Sequence, residues 1–164
     1  MDNQKEIYIS IFNEYRDKIL RICFAYLDDR SYAEDVFQEV LMAIWTGLKK
    51  FRNESGYGTW VYRITVNTIF IFNKKERKRS FERFRENIID SSVNEMEQKI
   101  REEDNLEKLY KAISSLEEFD RILISLYLEK LTYEEIGSVL GISANHVGVK
   151  INRIKEKIQK QLNR

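Results

Sequence analysis

The stretch LTYEEIGSVLGISANHVGVKINRIK, Leu131 to Lys155, decides the fold. Thr132 and Glu135 have the spacing of a capping box, which starts a helix at Thr132. Ile136, Val139 and Leu140 recur at helical spacing and mark its buried face. Gly137 lies inside that helix, where glycine costs about 1 kcal/mol against alanine. Close approach of a second helix is a reason to accept that cost. Gly141 suits a left-handed C-terminal position, Ile142 a buried turn, and Ser143 the N-cap of the next helix. That helix carries Val147, Ile151, Ile154, Ile158 and Leu162 on one stripe, with Asn145, His146, Lys150, Asn152 and Arg153 on the other face. The pattern is a helix-turn-helix, whose second helix enters a DNA major groove. An ordinary helical hairpin uses the same devices, but the polar, basic outer face favours DNA.

Upstream, Leu106, Leu109, Tyr110, Ile113 and Leu116 mark a helix from Asn105. Ser115 and Glu118 have capping-box spacing before a helix with Phe119, Ile122, Leu123, Leu126 and Tyr127. Residues 105–164 therefore read as a four-helix unit. Residues 86–104 are polar with weak periodicity and read as a linker, helical only at its ends.

Residues 1–85 read as three helices. The first runs from about Asn3 to Leu27, with Ile7, Ile11, Tyr15, Ile19, Ile22 and Tyr26 on one face. Ser31 and Glu34 suggest a capping box for the second, Tyr32 to about Lys50, whose outer face carries Glu34, Asp35, Gln38 and Glu39. That acidic face is either simple solvation or a dock for a basic partner. Phe51 to Gly58 is a loop, and Thr59 opens a third helix from Trp60 to about Arg85. Trp60, Val61, Ile64, Ile71 and Phe72 are its candidate core. Tyr57, Tyr62, Arg63, Asn67 and the basic run are left over. Aromatic rings beside cations suit single-stranded DNA, on which bases stack while cations hold the backbone. Trp60 and Tyr62 also fit an ordinary core.

Composition agrees with an all-helical chain of two small domains. Among 164 residues there is no proline, 43% are hydrophobic, and the net charge is +1. The charge is segregated, however. Lys74 to Arg85 holds seven basic residues against two acidic; residues 86–107 hold eight acidic against two basic; Ser143 to the end holds six basic against one acidic. Two basic segments astride an acidic one suit two nucleic-acid contacts on either side of a linker. No apolar run reaches membrane-spanning length and the start lacks a signal peptide's apolar core, so no membrane insertion and a cytoplasmic location are expected. Cys23 and His146 are the only cysteine and histidine, which excludes a Cys/His zinc site within one chain. Cys23 sits among apolar neighbours and reads as a packed thiol. With no Gly-rich phosphate loop and no nucleophile with a partner base, neither an enzyme nor a cofactor or metal is expected.

The residues resemble the bacterial RNA polymerase sigma factors of the extracytoplasmic-function (ECF) type, over nearly the whole chain except the linker. AEDVFQEVLMAIW (Ala33 to Trp45) resembles the second sigma region, FRNESGYGTWVYRITVN (Phe51 to Asn67) the adjoining stretch that opens promoter DNA, and SLEEFDRILISLYLEKLTYEEIGSVLGIS (Ser115 to Ser143) with the helix after it the fourth region. The resemblance implies that Asp35, Gln38 and Glu39 dock the clamp of core RNA polymerase. It implies that Arg52, Ser55, Tyr57, Trp60, Arg63, Asn67, Lys74, Lys75 and Arg77 hold the minus-ten element, single-stranded in the open bubble, with Asn67 near the pocket for a flipped base. It implies that Ser143, Asn145, His146, Val149, Lys150, Asn152 and Arg153 read or clamp the duplex minus-thirty-five element. An anti-sigma factor is an implied partner. Two positions depart from the family: Gly148 stands where many members carry Lys or Arg, and Gly58 where a larger residue is common. The rival reading is an autonomous helix-turn-helix regulator, which leaves the acidic face and the aromatic-basic helix without a role.

Overall fold

The computed structural model describes residues 2–27, 29–52, 55–86 and 101–163, and the elements below are those of these residues. Seven α-helices follow one another: α1 (Asp2–Tyr26), α2 (Arg30–Gly47), α3 (Tyr57–Glu86), α4 (Arg101–Ser114), α5 (Glu118–Leu128), α6 (Tyr133–Leu140) and α7 (Ala144–Leu162), with a short 3₁₀ turn over Leu48–Lys50. Among the described residues there is no strand. The all-α expectation holds. Of the expected linker, Glu86 ends α3 and Arg101 begins α4, while residues 87–100 lie outside the described residues.

The helix ends show which local signals won. Thr132 and Glu135 form the expected reciprocal capping box, and the Ser143 hydroxyl accepts from the His146 amide. Two other expected boxes do not form. Asp29 caps α2 instead of Ser31, its carboxylate accepting from the amides of Ser31 and Tyr32. A carboxylate reaching two free amides at a helix N-terminus is a stronger acceptor than a hydroxyl. At α5 the cap position is Glu117, with no side-chain bond, because Ser115 and Glu118 are used elsewhere. The Ser115 hydroxyl donates to the Ala112 carbonyl and accepts from the Gln161 side-chain amide, and Glu118 faces α3. α3 also starts two residues earlier than Thr59.

The turn between α6 and α7 is as tight as its glycines require. Gly141 has φ 73°, in the left-handed region. A Cβ on Gly137 would lie 2.5 Å from the Ile142 carbonyl oxygen and 3.5 Å from the Ala144 nitrogen, so the turn backbone comes closest and the start of α7 lies just behind it.

α1, α2 and α3 pack on one another, and α4, α5, α6 and α7 do the same. The two groups are joined directly: α1 lies against α4 and α5, and α3 against α6. Buried side chains of both form one hydrophobic cluster, including Ile19, Ile22, Val36, Ile44, Ile69, Ile122, Leu126, Ile136 and Ile154. Tyr62 is part of that core, packed edge-on against Tyr15 at 5.8 Å. Ile71 is not; it is exposed, and Ile69 takes the buried position. Cys23 is fully buried and burial pushes its thiol up to about 12, as expected of an inert packed thiol.

Candidate nucleic-acid interface

α7 is the clearest surface. Val147, Ile151, Ile154 and Ile158 fix its inner face against α4, α5 and α6. At about 100° per residue, Asn145, Val149, Asn152 and Arg153 then fall on the opposite side. All four are exposed, as is His146. Ser143, also expected here, is exposed but spends its hydroxyl on the N-cap. Lys150 differs from the expectation. It turns inward, its ammonium 2.7 Å from Asp120 of α5 and 5.2 Å from the centre of the Phe119 ring. Lys157 reaches the other Asp120 oxygen at 3.5 Å. Lys155 donates to the Tyr127 hydroxyl at 2.7 Å. Asp120 is buried, and a buried carboxylate needs such partners. Nothing local in the sequence joins Asp120 to a lysine thirty residues on.

Gly148 has a structural reason. A Cβ there would lie 3.2 Å from the Tyr133 ring of α6. Gly58 has a similar one, with the Tyr15 hydroxyl oxygen 2.9 Å from where its Cβ would be. Both departures from the family pattern coincide with a tyrosine occupying the space.

The second surface begins at the loop before α3. The Phe51 ring stacks on Tyr57 at 4.7 Å and meets Trp60 at 4.8 Å. Phe51 was not among the expected site residues, since an aromatic at a loop edge has no periodic signal. Trp60 is half-buried, and a Cβ on Gly47 of α2 would lie 3.0 Å from its ring. Its packing role is thus evident. Tyr57 and Arg52 are exposed and Ser55 is half-buried, while Asn53 and Glu54 lie outside the described residues. Helical spacing puts Arg63, Asn67, Ile71 and Lys74 along one line of α3, all exposed. Lys75 and Arg77 flank that line.

Two of these side chains are already engaged. Arg63 donates from Nε to the Ser138 carbonyl at 3.0 Å and from Nη2 to its hydroxyl at 2.8 Å. Arg77 pairs with Glu118 of α5, which also accepts from Asn73 at 2.9 Å. Arg21 makes a bidentate pair with Glu129 at 2.7 and 2.8 Å, and Arg121 donates to the Tyr26 carbonyl. The expected minus-ten residues therefore line part of the seam between α1–α3 and α4–α7.

The acidic face of α2 is separate from both. Asp35, Gln38 and Glu39 are exposed, and among the described residues no ion pair engages either carboxylate. One and two turns on, the same side of α2 carries Met42, 68% exposed, and Trp45, 37% exposed.

Among the described residues no helix is long and apolar enough to cross a membrane, and no three metal-binding side chains cluster.

Comparison with known proteins gives these surfaces a family. Residues 11–79 match the model of Sigma-70 region 2, and residues 106–158 that of Sigma-70, region 4. The chain is 25% identical to the ECF RNA polymerase sigma factor SigW of Bacillus subtilis, covering 96% of this chain and 90% of that protein. It is 24% identical to RNA polymerase sigma factor YlaC of the same organism, covering 93% and 90%. It is 29% identical to the RNA polymerase sigma-H factor of Pseudomonas aeruginosa, covering 91% and 82%. The fold resembles the sigma factor RpoE solved with the anti-sigma factor NepR from Bartonella quintana, with a TM-score of 0.72, 19% identity and 99% and 98% of the two chains covered. It also resembles CnrH solved with the cytosolic domain of CnrY, with a TM-score of 0.69, 17% identity and 97% and 89% covered. Both sigma regions match in their proper order, and the relatives align along almost the full chain; this protein belongs to the sigma-70 family, as a member of its ECF type.

Proposed function

We propose that this chain binds core RNA polymerase and directs it to a subset of promoters. Residues 1–85 form the unit that docks the polymerase and captures the minus-ten strand, residues 105–164 the unit that holds the minus-thirty-five duplex, and residues 86–104 join them. The observation that carries this reading is the pair of sigma-region matches flanking two different nucleic-acid surfaces. One is a recognition helix with exposed amide and guanidinium groups; the other is an aromatic cluster beside a basic helix. Each suits one physical form of DNA. A major groove admits the first, and stacking on unpaired bases suits the second.

The roles follow residue by residue. Asp35, Gln38 and Glu39 dock the polymerase clamp. Arg52, Ser55, Tyr57, Trp60, Arg63, Asn67, Lys74, Lys75 and Arg77 hold the melted strand. Asn145, His146, Val149, Asn152 and Arg153 face the upstream duplex, with Ser143 capping their helix. Phosphate contacts supply salt-dependent affinity, and base contacts the selectivity. The chain works in the cytoplasm, as an initiation factor rather than an enzyme. The RpoE structure named above contains an anti-sigma factor, which supports such a partner here.

Run-off transcription with core polymerase on a pooled promoter library tests the reading. New start sites that depend on the chain are expected. No new starts, together with no co-elution with core polymerase, would sink it. Charge reversal at Asp35 and Glu39 should abolish co-elution while leaving the helical content intact.

A further inference from the structure

Val149 and, two turns on, Glu156 hold the positions on α7 farthest from the buried stripe. Taking α7 as a wheel at about 100° per residue, Val147, Ile151, Ile154 and Ile158 cluster around one direction, and Val149 lies almost opposite. It is 43% exposed. Asn145 and Asn152 flank it on one side, His146 and Arg153 on the other, and all are exposed. The neighbouring lysines do not crowd it, since Lys150 and Lys157 are drawn to Asp120 and Lys155 to Tyr127. In the first two turns of α7 the centre of the recognition surface is therefore apolar and uncharged, and Glu156 lies beyond it on the same line.

Val149 lies outside the core, nearly half exposed, and its β-branch lowers helix propensity. Its chemistry fits only a partner with an apolar group at that point. Among base edges in the major groove, the thymine C5-methyl is the apolar feature. The flanking amides have the complementary preference, since asparagine pairs in bidentate fashion with N6 and N7 of adenine. We propose that Val149 is a specificity-determining residue that packs on a thymine methyl in the upstream element, beside an adenine read by Asn145 or Asn152. The proposal rests on the sigma-factor reading of α7 as the helix that enters the upstream duplex. Lys150 belongs to the support of this surface and holds the helix to α5 through Asp120.

The test uses holoenzyme assembled from core polymerase and the full chain. Duplexes with a randomised upstream region are selected for binding, and the enriched element is remade with each thymine in turn replaced by deoxyuridine. At one position, loss of the methyl should weaken binding about four-fold, the weight of one methyl group taken out of water. Val149→Ala holoenzyme should bind the thymine duplex correspondingly weaker and show no preference between thymine and uracil there. Uracil tolerated at every position would overturn the proposal. So would a Val149→Ala variant that keeps the full thymine preference. Absence of any enriched upstream element would instead overturn the sigma-factor reading, and this inference with it.

Discussion

Arg63 of α3 is bound to Ser138 of α6 through both its Nε and Nη2 nitrogens, across 75 positions of sequence. The same guanidinium stands on the line of α3 proposed to hold the minus-ten strand. Those bonds take two of its five N–H donors, so turning the whole fork toward DNA costs both of them. The packed arrangement therefore competes with full engagement of Arg63 by DNA.

Weakening the seam should make the free chain expand more readily. Exposed pairs contribute about 0.2–1 kcal/mol each, so one change has a small effect and several together a visible one. Combining Arg63→Ala, Glu118→Ala and Arg21→Ala should raise the radius of gyration in solution scattering and speed amide exchange in α6. An unchanged scattering profile would mean that the apolar cluster alone holds the two groups together.

Lys150 and Arg153 should behave oppositely. Lys150→Ala leaves the buried Asp120 with only the more distant Lys157, at 3.5 Å. Breaking a buried pair is costly, and the remaining lysine lessens the loss to about 1–3 kcal/mol. Arg153→Ala should leave stability within about 0.5 kcal/mol, as a surface change, yet reduce the salt slope of upstream DNA binding by about one. Urea unfolding and salt titration separate the two. A stability loss at Arg153 matching that at Lys150 would contradict this division.

Gly137 and Gly56 offer a matched pair. At Gly137 a Cβ would meet the Ile142 carbonyl at 2.5 Å, whereas at Gly56 nothing lies within 4 Å. Alanine at Gly137 gains about 1 kcal/mol of helix propensity but must push the turn away. The clash is with backbone and should win, lowering the thermal midpoint by several degrees, or about 1–3 kcal/mol. Gly56→Ala should be nearly neutral. Calorimetry on both decides whether the close approach governs the turn.

The fold should be sensitive to base. Burial raises Cys23 from 9.0 to about 12, and it raises Tyr62 above its ordinary 10.0. Both groups hold their protons more tightly folded than unfolded. Below about pH 8 both states are protonated and this contribution is fully present. Above that the unfolded chain ionises first, so stability falls as pH rises toward 12. Urea midpoints should drop between about pH 8 and about pH 11, and less so for Tyr62→Phe. An identical drop in that variant would remove Tyr62 from the cause.

The sequence made the helices legible because periodicity and caps act within a few residues. Thr132–Glu135, Ser143 and Gly141 behave as their local chemistry dictates. Where several donors and acceptors compete, local rules were insufficient. Ser31 lost its cap to Asp29, and Glu118 was drawn from its own helix start toward Asn73 and Arg77. The exposed site residues were visible as the polar remainder of amphipathic helices. The inward turn of Lys150 was not, because it depends on a carboxylate 30 positions away. Phe51 was missed for a related reason: its partners Tyr57 and Trp60 lie across a loop, where no period applies.

Gly148 and Tyr133 form an interlocking pair, with the tyrosine ring 3.2 Å from the place of the missing Cβ. Enlarging position 148 therefore requires the Tyr133 ring to give way by a few tenths of an ångström. An arginine arriving there must first displace the ring, and a smaller residue at 133 would leave a gap between α6 and α7. Divergence of promoter preference through this position is therefore coupled to the packing of Tyr133, so that a new contact and a new packing arrive together.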